Sequence, residues 1–324
     1  MRKLLLVPLL IAAVACGGGE EDPPVERTFR WDASAGTTVT AAALLPGGEI
    51  LVGLDGDARE VRFLSPAGGE LSSSAVAVRA AQPLVVGEYA FFGDEAGGGP
   101  LYRIEPATRR VREMELENPR GLPLGSFLVD GRYGTAMHDE AQMLLPGNGL
   151  VQISNTAILT AIHPTPALRA VAHVRDDIYT FIDEAGELGG WRKGDGDWTA
   201  FDLPVARIAG GDGFTVLGLE EAGQIELYLY DDPISPLGHA FVHQLELAVA
   251  PAAQRLIVGV RDHPIDAPAA IEAPAPRTAL VLDGAGKVLG SVETPAPITA
   301  VHIAPDGKRA LVAHERGVIG LDVR

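Results

Sequence analysis

One cysteine, Cys16, serves all 324 residues. An intrachain disulfide, a cysteine-based metal site and thiol catalysis elsewhere in the chain are thereby excluded. Lysine is scarce and aromatics make up only 6%. Acids outnumber bases 43 to 26, for a formal net charge of −17. That balance argues against a nucleic-acid partner and against docking on anionic lipid through a basic patch. The acids are scattered, as on a solvated surface. No stretch beyond Cys16 is apolar and long enough to cross about 30 Å of hydrocarbon. A Gly-x-Ser-x-Gly elbow, a His-Glu-x-x-His pair, a phosphate-binding loop and a dinucleotide fingerprint are all missing. The glycine clusters Gly17–Gly19 and Gly97–Gly99 lack the spacing to cradle phosphate. The motifs therefore assign no catalytic residue, no cofactor-binding residue and no metal ligand. What the chain has is 39 glycines and 24 prolines, near one residue in five, within a composition that is 47% hydrophobic. This fits many short strands joined by tight turns and excludes a coiled coil or a collagen-like repeat.

The N-terminus carries an export signal. Arg2 and Lys3 precede an apolar run from Leu4 to Ala15, broken only by Pro8. Twelve residues are too few to span a bilayer as a helix and suit a signal-peptide core. The run ends Ala13-Val14-Ala15-Cys16. In this segment the chain resembles a bacterial lipoprotein precursor. The resemblance implies cleavage before Cys16 and acylation of its thiol, with the membrane as partner. The other reading of the same residues is ordinary secretory cleavage near Ala15, leaving a free thiol. Residues 16–25 continue as a tether of small, acidic and proline residues that can bury nothing. Gly17, where lipoproteins kept at the inner membrane carry aspartate, favours the outer membrane.

The remainder repeats a strand pattern, clearest at the C-terminus. Residues 298–324 read as strand, Ala304-Pro305-Asp306-Gly307-Lys308 turn, strand, Glu315-Arg316-Gly317 turn and strand, a β-meander. The segment resembles one blade of a β-propeller of the WD40 and YVTN class, without the Trp-Asp and Gly-His signatures of a true WD40 repeat. Comparable units occupy 38–66, 84–106, 168–192, 204–230 and 245–283, and a less regular one lies within 121–163. At about 41 residues per four-stranded blade, Val39 to Arg324 accommodates seven; six would need about 48 each. The expected fold is all-β, a single propeller over 26–324. The last unit holds three strands and lacks an outer fourth. Glu26 to Asp32 alternates, with Phe29 and Trp31 on one parity. It is expected to pair with Val318–Val323 and close the ring, removing an exposed edge. Arg112 to Glu117 allows one helical turn before Pro119. Asp262 to Pro276, with four prolines, reads as an extended surface loop.

Several residues invite a chemical reading. Asp55-Gly56-Asp57 and Asp195-Gly196-Asp197 lack the further ligands and the sixth-position glycine of a calcium loop, which leaves turn chemistry. On one strand His239 and His243 would lie about 13 Å apart, too far to share a metal; on a helical turn they could chelate, but the surrounding sequence gives no helix signal. His302 and His314 fall on the first two strands of the last unit, where His302 either faces the channel or bridges backbone groups. Trp31, Trp191 and Trp198 would either pack between blades or form a ligand platform. Trp191 and Trp198 flank Lys193, so a cation–π contact is conceivable there.

Three functional readings follow. The first is a lipid-anchored, non-enzymatic propeller that binds an envelope protein. The second is a hydrolase resembling the propeller lactonases, with a metal held at the channel. The third is a receptor for a small ligand.

Overall fold

The computed structural model describes residues 25–95, 99–114, 128–136, 140–145, 149–154, 159–164, 168–175, 178–183, 185–192, 198–211, 213–221, 223–230, 234–265 and 274–324. Among them the regular structure consists of strands and two single 3-10 turns, Pro106–Thr108 and Pro251–Ala253. The strands run β1 (Val25–Asp32), β2 (Thr38–Leu44), β3 (Ile50–Asp55), β4 (Glu60–Leu64), β5 (Glu70–Ala75), β6 (Leu84–Val86), β7 (Tyr89–Phe92), β8 (Gly99–Pro100), β9 (Tyr102–Glu105) and β10 (Arg110–Glu113). They continue with β11 (Leu128–Ala136), β12 (Glu140–Leu145), β13 (Gly149–Ser154), β14 (Leu159–Pro164), β15 (Leu168–Arg175), β16 (Ile178–Asp183), β17 (Glu187–Arg192), β18 (Trp198–Gly211), β19 (Phe214–Glu221) and β20 (Gln224–Leu229). The last are β21 (Ser235–Phe241), β22 (His243–Ala250), β23 (Arg255–Pro264), β24 (Thr278–Asp283), β25 (Val288–Glu293), β26 (Ile298–Ile303), β27 (Arg309–His314) and β28 (Gly317–Val323).

Antiparallel pairing groups these strands into four-stranded meanders: β2-β3-β4-β5, β6-β7-β9-β10, β11-β12-β13-β14 (with β8 added beside β11), β22-β23-β24-β25 and β26-β27-β28-β1. A seven-stranded sheet, β15 to β21, holds two more meanders that share the 14-residue β18, outer strand of one and first strand of the next. The first strands of the meanders adjoin in cyclic order, β2 to β6, β11, β15, β18, β22, β26 and back to β2. The strands therefore form a β-propeller.

Burial falls from the centre outward. β2 and β3 are buried over nearly their whole length, whereas β5 and β10 are mostly exposed. Small residues fill the crowded inner positions: Ala41, Ala42 and Ala43 on β2 are at most 1% exposed. Gly53 on β3 marks the same crowding, since a Cβ there would lie 2.8 Å from that of Ala80. Several first strands carry a register shift near their start, at Val39/Ala41, Leu168/Ala170, Val205/Arg207, His243/Leu245 and Ile298/Ala300. A bulge at that point adds the local twist with which each strand meets its neighbour.

Ring closure takes the form expected from the sequence. β1 pairs antiparallel with β28, from Val25↔Val323 to Asp32↔Gly317, with a shift between Arg27 and Phe29. The alternation in Glu26 to Asp32 holds: Trp31 is 7% exposed, while Arg30 and Asp32 face solvent. Val25, the first described residue, already belongs to the strand, and its side chain packs against Gly290 of β25. Phe29 lies over Gly320 of β28 and Gly68 of the first meander, where a Cβ on either glycine would crowd the ring. β1 thus touches both neighbouring meanders.

Two local expectations are corrected. Arg112 and Glu113, read as the start of a helical turn, lie in β10, where Arg112 pairs with Arg103 of β9; the arginines of Arg110-Val111-Arg112 alternate as an outer edge strand requires. Asp262 to Pro264, read as loop, extend β23, with Pro264 paired to His243.

Candidate functional site

Antiparallel succession places the turns after first and third strands at one end of the ring, the turn face. The turns after second strands and the crossovers between meanders lie at the other, the crossover face. A cleft of about 620 Å³ opens on the crossover face where β1 and β28 close the ring. Its walls include Arg30 and Asp32 at the end of β1, Ser34 and Thr37 in the following loop, and Glu315 and Arg316 in the β27–β28 turn. Backbone bonds fix this geometry. The Ala33 N–H donates to the Arg316 carbonyl at 2.8 Å, Val39 to Glu315 at 2.9 Å, and Glu315 to Pro297 at 2.9 Å. Gly36, at φ +82°, supplies the left-handed residue that turns the loop.

Arg30 is spent on Asp32, with Nε and Nη2 at 2.9 and 2.8 Å from the same carboxylate oxygen. Both side chains are about half exposed, so the pair orders the cleft wall more than it stabilises the fold. Arg316 is exposed and forms no ion pair among the described residues. His314, fully buried at the end of β27, lies beside this wall. Its Nδ1 accepts the Arg316 N–H at 3.2 Å, which puts the ring proton on Nε2, an atom with no hydrogen-bond partner among the described residues. Burial, with help from the Arg30 and Arg316 charges and against Asp32, pushes its pKa down to about 4. The ring is neutral at pH 7. Hairpin geometry aligns the second strands of the first and last meanders, and His314 then occupies the position that Leu54 fills in β3.

The other singled-out residues mostly hold the ring together. His302 is half-buried on β26, and its Nδ1 accepts the N–H of Leu44, on β2 of the neighbouring meander, at 3.3 Å. Desolvation lowers its pKa to about 4, so it bridges backbone as a neutral ring. Trp31 packs between blades: its indole N–H donates to Glu70 at 3.1 Å, and the Arg62 guanidinium sits 5.7 Å from the ring centroid. Glu70 also takes Arg62 at 2.8 Å. Trp191 is 4% exposed and packs on Tyr179 at 5.2 Å, inside its own sheet. Its backbone pairs with that of Trp198, whose side chain, like Lys193 and Asp195-Gly196-Asp197, lies outside the described residues.

Asp55 ends β3 and accepts Arg59 at 3.2 Å, with Arg79 at 3.8 Å, and Gly56 and Asp57 are exposed in the turn that follows. This is turn and ion-pair chemistry. His239 and His243 do not share a strand: a bend at Val242 separates β21 from β22, and His239 Nε2 is 2.5 Å from the Gly286 carbonyl of the next meander. Among the described residues no group of three or more His, Cys, Asp or Glu is placed to hold a metal ion. Cys16 also lies outside the described residues.

The sequence reading missed the ties on the turn face. Arg255 and Arg309 occupy the same position, first in the second strand of adjacent meanders. Arg255 donates to the Gly307 carbonyl at 3.0 Å and Arg309 to Gly48 at 3.5 Å, each reaching the turn of the next meander. Glu49, just before β3 and aligned with Arg309 by the hairpin bond that its carbonyl accepts, takes Arg109 of the second meander through three contacts of 2.5, 3.0 and 3.2 Å. The Lys308-Arg309 and Gln254-Arg255 pairs after each turn are the only sequence signal for them.

No protein-family model and no curated protein matches the chain. Solved structures do. The WD40 repeats of RRP9 align with a TM-score of 0.65 at 9% identity, covering 93% of this chain and 97% of that one. U3-55K aligns with a TM-score of 0.64 at 9% identity, covering 92% and 98%. Likeness at this identity is one of fold: the chain is a β-propeller of the kind built by WD40 repeats.

Proposed function

We propose that the protein is an exported bacterial lipoprotein whose propeller is a non-enzymatic binding or scaffold module of the cell envelope. Residues 1–15 are the signal, Cys16 is the acylated first residue of the mature chain, and a short tether leads into the ring. The outer membrane is the favoured location, and the partner is another envelope protein. Seven blades make the ring, supported by the seven first strands that succeed one another cyclically.

One observation carries the non-enzymatic part. His302 and Trp31, singled out in the sequence as site candidates, each place a ring nitrogen in a contact between blades. Groups used that way give a rigid ring whose loops are free to present a surface. Fold alone names no partner. Cross-linking in intact membranes, followed by mass spectrometry of the recovered adducts, tests the reading. A stable partner cross-linked through loops of one face supports it. Loss of a hydrolytic activity on chelation would replace it with the metal-dependent hydrolase.

The seam cleft supports a second reading, a receptor for a small ligand. Arg316 offers an unspent guanidinium at its wall, which suits an anionic group. A thermal-shift screen of the protein and its Arg316→Ala variant distinguishes the two.

A further inference from the structure

Resting on the lipid-anchored reading above, we infer that the protein holds its turn face against the bilayer surface, with Lys287 and Lys308 at the lipid headgroups. The crossover face and its cleft then point away from the membrane.

The direction of β1 sets this orientation. Val25 pairs with Val323, and the Val323 N–H donates to the Lys308 carbonyl at 2.7 Å, in the turn between β26 and β27. The chain therefore joins the ring at the turn face, and β1 runs from there to the cleft. Nine residue steps separate Cys16 from Val25. Fully extended they reach about 30 Å. The eight residues of β1 rise about 26 Å. To bring the crossover face to the bilayer, the tether would have to run back along the whole strand, leaving only a few ångströms. With the turn face down, no such return is needed.

Charge agrees. The chain has four lysines, and Lys3 and Lys193 lie outside the described residues. The other two are exposed on adjacent turns that flank Val25: Lys308 beside its partner Val323, and Lys287 three residues before Gly290, on which Val25 packs. Neither makes an ion pair among the described residues. Asp322, beside Val323, makes no ion pair among the described residues, but three other acids nearby have partners. Asp283 accepts the Ala285 and Lys287 N–H groups at 3.0 and 2.9 Å, Asp306 accepts that of Lys308 at 3.0 Å, and Glu26 pairs with Arg324 at 2.7 Å. In a chain of net charge −17, two unspent ammonium groups beside the point of attachment mark where an anionic headgroup is tolerated.

The single native cysteine makes a direct test possible, because an acylated Cys16 leaves any introduced thiol unique. Exposed alanines serve on both faces: Ala67→Cys and Ala285→Cys on the turn face, Ala35→Cys and Ala58→Cys on the crossover face. Each dye-labelled protein is reconstituted into phosphatidylcholine vesicles, with and without one part in five phosphatidylglycerol, and energy transfer to a lipid-bound acceptor is read. The turn-face labels are expected to transfer at least twofold more efficiently than the crossover-face labels. Their transfer should rise with phosphatidylglycerol, and Lys287→Glu with Lys308→Glu should abolish the rise. Equal transfer from both faces overturns the orientation in favour of an edge-on ring, and the reverse order overturns it outright. Flotation and the mass of the Cys16 peptide report separately on the anchor. If Cys16 is not acylated, a Cys16→Ser chain bound by an N-terminal histidine tag to nickel-chelating lipid repeats the comparison on the same tether, and equal transfer there also refutes the orientation.

Discussion

Removing the side chain that locks β1 should open the ring at one place. Trp31→Ala deletes a residue that is 7% exposed and packed between the last and first meanders. Truncating a buried aromatic typically costs about 3–5 kcal/mol. The 5.7 Å contact with Arg62 adds a fraction of a kcal/mol. The lost indole bond costs little, because Glu70 keeps Arg62 at 2.8 Å. About 4 kcal/mol in all corresponds to a melting point roughly 10 °C lower at about 2–4 °C per kcal/mol. Trp31→Phe should lose less than half of that. The assay is thermal and urea unfolding of the protein lacking its first 18 residues, with hydrogen exchange read by mass spectrometry. Protection should fall first in β28, whose outer amides bond β1, while the β22–β25 meander keeps its own. A cost below about 1 kcal/mol, or exchange that rises evenly around the ring, would refute closure by β1.

Three further outcomes follow from the same geometry. Gly317→Ala should cost more than about 2 kcal/mol, because a Cβ there overlaps the Trp31 carbonyl, whereas Gly213→Ala, at φ +83° with open space around it, should cost about 1 kcal/mol; paired urea melts decide. Acid should weaken the fold through His302 and His314. Both have native pKa values near 4 against an unfolded value near 6.5, so the unfolded chain binds more protons between those limits. Stability is then full above pH 6.5 and falls as the pH drops toward 4, by at most about 3 kcal/mol for buried His314 and less for half-buried His302. His314→Leu, which restores the residue type of Leu54, should stay within about 1 kcal/mol of the parent at pH 7 and flatten the decline; unfolding across pH 4–7 reads both. Chelator should leave the melting point unchanged, since a cation bound only by the folded state would raise it by mass action; a fall reversed by one metal would favour the hydrolase.

What the sequence made legible was whatever repeats or alternates locally. Pro-Asp-Gly-Lys at 305–308 and Pro-Gly-Gly at 46–48 announce hairpins because proline and glycine fix the backbone by themselves. The parity of Phe29 and Trp31 announced a strand with one buried side, and the three-strand last unit supplied its partner. The contacts that join blades were hidden because each links residues far apart in the chain. Arg309 reaches Gly48 across 261 positions, and His302 serves Leu44 across 258. A local pattern such as Lys308-Arg309 marks at most one end of such a pair and never its partner. The separate strands of His239 and His243 were hidden because their spacing suits one strand, and only the bend at Val242 assigns them to two. The seam cleft was invisible for a related reason. It is built from Arg30 and Asp32 near one end of the chain and Glu315 and Arg316 near the other, which ring closure alone brings together.

The chemistry of Cys16 tests the central functional claim most directly. The protein would be expressed in full in a bacterial host, extracted from membranes with detergent, digested, and its N-terminal peptide weighed. The account predicts a peptide that begins at Cys16 and carries a thioether-linked diacylglyceryl group, and a Cys16→Ser chain that no longer partitions with membranes. A mature chain that begins elsewhere, or a Cys16 with a free thiol in a protein recovered from the soluble fraction, would contradict it.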